Sequence, residues 1–318
     1  MGAQRREREG GVVNFGTHVD AGFEPLDWSG LDDLEPATPV IPGLLNEGES
    51  GALIGQAECG KSLLMLEVAV SLALGKPVLG QPAMEPMPVM YIDMENPVVE
   101  VKERVHRMGL SLSDIGSSLL RYFSFPDLPP LDTSAGGQKL ALACQRFEPK
   151  LIVLDTISRM VEGKEDSADT WQNMYVHTMV PLRRQNRAVL RLDHQGHDSS
   201  RGARGSSAKR DDVDVAWIMK REGSKVTLSR HKGRSLAHPD DVVLVRHAAP
   251  TCHLPVVAGG RVDECVDALN HLHVPLDWTR DEAGAELRAN NYRYGNDVVG
   301  AALRMRRTAN SAACASPP

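Results

Sequence analysis

The sequence predicts an α/β fold: a mainly parallel sheet with an antiparallel extension, followed by a small helical domain that reads either as a helix-turn-helix or winged-helix unit or as a plain helical accessory. Three observations lead there. Apolar runs of strand length alternate with helix-length segments from Gly51 to Asp193, the pattern of a parallel sheet covered on both faces. A glycine-flanked loop joins the first of these strands to a strongly apolar helix. Beyond about Gly259 the strand signals stop and helical spacing takes over.

Residues 1–44, rich in glycine, proline and acids with little periodicity, read as an amino-terminal arm. The core, residues 45–247, opens with strand Ala52–Ile54 and helix Ser62–Leu74, which Gly75 ends. Strands follow at Val89–Asp93, Leu151–Asp155 and Ala188–Asp193, and shorter ones at Val226–Ser229 and Val242–Val245 supply the antiparallel extension. In the helical domain, residues 259–307, Val262, Val266, Leu269 and Leu272 share one face, Ala283 and Leu287 mark a second helix, and Val298, Val299, Ala302 and Leu303 follow Asn296 as the N-cap of a third. Arg304, Arg306 and Arg307 lie near its end, and residues 308–318 read as a disordered tail.

A chain of 318 residues, 42% hydrophobic and 25% charged, can bury one full core and a small second domain. No apolar run approaches the roughly eighteen residues of a membrane span, so no membrane partner is expected. The five cysteines are odd in number and form no C-x-x-C pair, which suits reduced thiols and a cytoplasmic location. The formal charge of -6 alone speaks against a nucleic-acid partner. Its distribution reverses that: Arg183 to Arg234 holds fourteen basic against six acidic residues.

The sharpest motif is Gly55-Gln56-Ala57-Glu58-Cys59-Gly60-Lys61-Ser62, which fits G-x-x-x-x-G-K-[ST] at every position. Glycines let the backbone wrap so that successive N–H groups face a β-phosphate, and the helix that continues through Leu63 adds its positive end. Lys61 reaches the β- and γ-oxygens and Ser62 ligates Mg²⁺, so ATP with Mg²⁺ is the expected cofactor pair. Glu58 is tolerable beside a triphosphate only if it points away. Asp155, closing the run Leu151-Ile152-Val153-Leu154, stands at the carboxyl edge of a buried strand, where it can hold the magnesium ion's shell. Tyr91-Ile92-Asp93-Met94-Glu95-Asn96 ends the strand after the loop helix. Glu95 is the candidate base that orients the attacking water, with Asp93 as its rival.

These motifs, with Asp193-His194-Gln195-Gly196-His197-Asp198 and Arg204-Gly205-Ser206-Ser207, make residues 40 to 247 resemble RecA-like ATPases of the hexameric replicative helicase group. RepA-like plasmid and phage helicases are most similar, and DnaB-like helicases and RecA recombinases are more distant. The resemblance implies a RecA-like P-loop core, a ring or filament of identical subunits with nucleotide between them, and single-stranded DNA in the channel. It assigns Lys61 and Ser62 to phosphate and magnesium, Glu95 to the catalytic base, Asp155 to the magnesium acid, and His194 or Gln195 to γ-phosphate sensing. Where some plasmid helicases carry an arginine finger, this chain reads Asp211-Asp212-Val213-Asp214. The run Ser229-Arg230-His231-Lys232-Gly233-Arg234 instead resembles the DnaB-like hairpin that enters the neighbouring subunit, so Lys232 and Arg234 are the expected trans-acting pair, Arg234 first because its charge is fixed.

Between His197 and Arg210 a serine, glycine and arginine-rich loop offers Arg201, Arg204, Lys209 and Arg210 as phosphate contacts without aromatic stacking. Asp193, His194, His197 and Asp198 also permit a zinc reading, which lacks further ligands at a convincing spacing. The leading expectation is an ATP-driven DNA motor. A recombinase or ATP-switched DNA-binding filament comes second, and a small-molecule kinase third.

Overall fold

The computed structural model describes residue 28 and residues 37–195, 212–235, 238–256, 260–272, 274–290 and 292–314. Most of the expected arm, and the segment with Arg201, Arg204, Lys209 and Arg210, lie outside the described residues. The chain divides into two compact units, residues 1–255 and 256–318.

In the first unit a small antiparallel pair, β1 (Pro39–Ile41) with β2 (Leu45–Asn46), precedes β3 (Ser50–Gly55) and α1 (Lys61–Leu74). Then come β4 (Val89–Asp93), α2 (Val98–Arg107), α3 (Leu112–Ser117), β5 (Leu120–Ser124), α4 (Ser134–Phe147) and β6 (Leu151–Asp155). Two short helices, α5 (Ala168–Met174) and α6 (Val180–Arg184), are joined by the π-helical stretch Tyr175–Met179 and lead to β7 (Ala188–His194). The last four strands are β8 (Val215–Glu222), β9 (Lys225–Gly233), β10 (Asp241–Ala248) and β11 (Thr251–Pro255). They extend the first unit past the expected boundary at residue 247.

The nine-stranded sheet has the order β11-β10-β9-β8-β3-β7-β6-β4-β5. From β8 through β5 all neighbours run parallel, and β9, β10 and β11 continue antiparallel. This is the mainly parallel sheet with an antiparallel extension that the strand signals predict. Alternation within each buried strand fills two layers: Val89, Tyr91, Leu151 and Val153 join the α1 core, while Met90, Ile92, Ile152 and Leu154 join the core under α4 and α5. Helix α1 is apolar almost all round because it is buried almost all round, and it ends on Gly75 in the left-handed region at φ 64°.

Two charged clusters tie the sheet from beneath. Arg191 of β7 is buried, bonds Asp193 at 3.2 Å and Asp212 at 3.1 Å, and stacks its guanidinium 4.9 Å over the Trp171 ring. Asp214 accepts from the backbone N–H and hydroxyl of Ser50 at 2.9 and 2.8 Å and from Arg183 at 2.7 Å. Although burial pushes the Asp214 carboxyl up, those hydrogen bonds win and hold it below the ordinary range.

The second unit contains α7 (Gly260–His271), α8 (Arg280–Ala289) and α9 (Asn296–Cys314). Its core joins Cys265, Leu269, Ala283, Leu287, Val299 and Leu303, on the faces that helical spacing marks. Thr279 and Glu282 form a reciprocal capping box at the start of α8. Helix α9 continues through Cys314, seven residues into the stretch read as a tail. Arg306 donates to Asn270 and to the Val274 carbonyl, and Arg307 to the carbonyls of Leu276 and Trp278, so both hold this unit's own loop.

Candidate functional site

The loop between β3 and α1 has the geometry an anion cradle requires. A Cβ on Gly55 would stand 2.8 Å from Cys59 Sγ and 2.9 Å from the Met219 carbonyl, which only glycine tolerates. Gly60, at φ 102°, is the N-cap of α1 and offers no side chain to the helix's first N–H groups, and no acid occupies the first turn. Those N–H groups stay available to a phosphate. Lys61 is buried at 6% exposure, and its Nζ donates to the carbonyls of Gly55 at 3.0 Å and Gln56 at 2.9 Å. Glu58, at φ 63°, is exposed on the rim.

At the carboxyl edge two acids stand in register: Asp93 of β4 is the direct partner of Asp155 of β6. Asp155 accepts from Ser62 Oγ at 3.1 Å and from the Tyr91 hydroxyl at 2.7 Å. Burial pushes its carboxyl up to about 6, against the lowering effect of those hydrogen bonds, and the nearby Asp93 and Glu95 charges add to the rise. A buried, destabilised carboxylate touching a serine hydroxyl fits one face of a Mg²⁺ shell, so Ser62 and Asp155 are the residues that would hold the ion. Asp93 is spent locally: it accepts from the N–H groups of Glu95 at 2.7 Å and Asn96 at 2.8 Å, from Asn96 Nδ2 at 3.0 Å, and from the Tyr122 hydroxyl. It shapes the turn that carries Glu95. Tyr91 and Tyr122 stack with centroids 5.0 Å apart, and burial raises both phenols, so each remains a protonated donor to its acid.

Glu95 and His194 face each other across a cavity of about 340 Å³, with His194 Nε2 3.9 Å from Glu95 Oε2. The same cavity is lined by Gly60, Lys61, Ser62 and Leu63. Burial, then the Lys61 charge, lowers the His194 pKa, which leaves a neutral imidazole at pH 7. Gln195 is not among the residues that line the Lys61 cavity: with Gln56, Ala57 and Cys59 it lines a second cavity, beside Met219 and Lys220 of β8. Of the two candidate sensors, His194 is the one in the Lys61 cavity.

Arg234 stands elsewhere. It pairs with Asp214 at 3.0 Å, and its backbone N–H bonds the Asp214 carbonyl, at the amino edge of β8. Lys232 pairs across the strands with Ala216 at that same edge. The loop lies at the opposite, carboxyl edge, where Gly55 pairs with Met219. Sequence reading missed Tyr91, Tyr122, Arg104, Arg107 and Arg246, of which the three arginines line the Lys61 cavity. Among the described residues no group of three or more His, Cys, Asp or Glu is arranged to hold a metal; His197 and Asp198 of the zinc reading lie outside them. Among the described residues, too, no helix is long and apolar enough to cross a membrane.

Compared with known protein families, residues 21–200, more than half of the chain, match the family model described as AAA domain.

Two predictions follow from the geometry. Lys61→Ala weakens nucleotide binding about ten- to a hundredfold by removing the loop's charge, whereas Glu95→Gln keeps binding and loses at least about a hundredfold in turnover; titration with a labelled nucleotide beside a phosphate-release assay separates them. Asp155 gives a pH signature. A carboxyl raised from 3.8 to about 6 contributes stability that is fully present below the lower value and is lost as pH rises through the upper one. Asp155→Asn therefore melts higher than wild type at pH 8, by the equivalent of about 2–3 kcal/mol, with the gap narrowing toward pH 5, and loses Mg²⁺-dependent turnover. Thermal melts of both proteins across that range check the sign.

Proposed function

The chain belongs to the AAA domain family of P-loop ATPases, and from that premise we propose that it is an ATP-driven motor on single-stranded DNA. The reading is of a RepA-like replicative helicase, acting as a ring or filament of identical subunits. One observation carries the hydrolytic chemistry: Lys61, Ser62, Glu95 and His194 line one cavity, with Asp155 bonded to Ser62 at its floor. Lys61 and the first-turn N–H groups of α1 hold the phosphates, and Ser62 with Asp155 holds Mg²⁺, which when bound neutralises charge developing on the phosphate oxygens. Glu95 orients the attacking water and accepts its proton. His194, neutral and beside Glu95, offers a hydrogen bond to the γ-phosphate end.

The DNA part rests on charge and on the resemblance together. The surplus of basic residues between Arg183 and Arg234 contrasts with an acidic remainder, and phosphate contacts need such a surplus. Arg201 and Arg204 are the residues proposed to make them, with Lys209 and Arg210 beside them. The trans role of Arg234, with Lys232, is supported by position: it stands on the far edge of the sheet from its own subunit's loop.

The DNA assignment is tested by ATP turnover with and without single-stranded DNA at several salt concentrations. Changing Arg201 and Arg204 together to Ala abolishes the stimulation and lowers the salt slope of single-strand binding by about 1.4, the value for two lost contacts. Undiminished stimulation in that variant would move the DNA site elsewhere, and no stimulation of wild type would sink the motor reading. Strand displacement separates unwinding from filament formation alone. For the trans residue, mixing Arg234→Ala with Lys61→Ala subunits partly restores turnover, since a mixed interface unites an intact loop with an intact arginine; no recovery at any ratio, with assembly intact, rejects it.

A further inference from the structure

The Lys61 cavity carries fixed positive charge that the hydrolytic machinery described above does not use. Arg104 and Arg107 reach it from α2, and Arg246 reaches it from β10. The first two are partly neutralised: Arg104 pairs with Glu100 at 3.1 Å and donates to Asn96 Oδ1 at 2.9 Å, and Arg107 pairs with Glu103 at 3.3 Å. Arg246 differs, having no carboxylate within ion-pair distance among the described residues. Its Nη1 lies 3.8 Å from the point where a Cβ on Gly60 would sit, directly over the start of α1. Burial first, then the charges of Arg221, Arg107 and Arg104, lower its pKa from the usual arginine value, with Glu67 acting in the opposite sense. A guanidinium crowded by three like charges is a site where an anion relieves repulsion.

The sheet order decides which part of the anion it meets. Strands β7, β6 and β4, which bring His194, Asp155 and the turn holding Glu95, lie on one side of β3, and β10 lies on the other. For a triphosphate whose β-phosphate sat in the loop and whose γ-phosphate faced Glu95, the side of the cavity left for the α-phosphate would be the one lined by Gly60, Leu63 and Arg246 of β10. We propose that Arg246 is a further nucleotide-binding residue, supplied by the same subunit as the loop, and that it grips the non-reacting α-phosphate end. The assignment rests on the ATPase reading of the site and is independent of DNA.

The α-phosphate is the same in ATP, in ADP and at the transition state, so a contact to it binds all three alike and appears in KM and Kd, not in kcat. The test compares wild type, Arg246→Ala and Arg246→Lys by equilibrium titration with Mg²⁺-ADP and with a non-hydrolysable Mg²⁺-ATP analogue, alongside steady-state turnover. Arg246→Ala should weaken both ligands by the same factor, about ten- to a hundredfold, and raise KM equally, while Arg246→Lys recovers part of the affinity. Equal affinity in wild type and Arg246→Ala overturns the proposal, as does a loss confined to the ATP analogue with a collapse of kcat, since that puts the guanidinium on the γ-phosphate. Thermal melts keep the comparison fair; should Arg246→Ala melt early, the lysine variant carries the test, with unaltered affinity or a loss for the ATP analogue alone counting against it. Wild-type protein that binds neither ligand would remove the ATPase reading itself, whereas normal wild-type binding with unaltered variants removes only this inference.

Discussion

Two carboxylates buried side by side are the constraint around which the site is arranged. Parallel pairing puts Asp93 opposite Asp155 at about 1% exposure each, where water cannot stabilise either charge. The chain answers with donors. Tyr91 and Tyr122, stacked on one another, give a hydroxyl to each acid, and the turn after β4 gives Asp93 two backbone N–H groups and an amide. Asp93 is thereby satisfied and becomes structural. Asp155 is left with its carboxyl raised, a group whose charge a divalent cation stabilises. The difference in hydrogen bonding between two acids in identical strand positions is what divides their roles.

The same turn that satisfies Asp93 fixes Glu95, so that carboxylate is positioned by backbone atoms and not by its own packing. Across the cavity His194 is presented by β7, whose register with β3 sets His194 beside Gly55. Loop, Glu95 turn and imidazole are therefore held at the ends of paired strands, which position side chains more precisely than loops do. Beneath them Arg191 links β7 to Asp212 and Trp171, which holds that strand from its far face. Rigidity of this kind suits electrostatic catalysis, in which fixed dipoles and charges act without reorganising.

Much of this was legible in the sequence because it depends on local patterns. Strands Val89–Asp93 and Leu151–Asp155 match their apolar runs residue for residue, since a strand buried on both faces cannot hide a polar position. The loop, Lys61 and Ser62 follow from a motif whose spacing is dictated by phosphate geometry, and Asp155 from the apolar run Leu151–Leu154 that it closes. Strand β5 escaped because Arg121 interrupts its apolar residues, whereas β8 holds the unbroken apolar run Val215–Met219 ahead of its exposed end Lys220–Glu222 and was legible but passed over. The tyrosine pair escaped for a different reason. Tyr91 and Tyr122 are 31 residues apart and meet only through the pairing of β4 with β5, and nothing in one strand announces the other. Arg246 is likewise invisible until β10 curls to the loop, since a lone arginine in a half-exposed strand usually reads as surface.

The acidic run Asp211-Asp212-Val213-Asp214 resolves in the same way. Read against helicases with an arginine there, it was a gap; in the structure Asp212 takes Arg191, and Asp214 takes Ser50, Arg183 and Arg234. These acids are anchors for the amino edge of the sheet. From Val215 to Met219, β8 runs beside β3 from Gly51 to Gly55, a rise of about 13 Å at strand spacing. An arginine side chain spans roughly half of that, so Arg234, bonded at the Asp214 end, cannot reach the phosphates cradled by its own loop. Among the described residues, the positive charge that lines the Lys61 cavity therefore comes from Lys61 itself and from the arginines of α2 and β10. Any contribution from Arg234 to hydrolysis requires a second copy of the chain to bring that edge to the loop, which makes catalysis by such an arginine a property of the assembly and not of the fold.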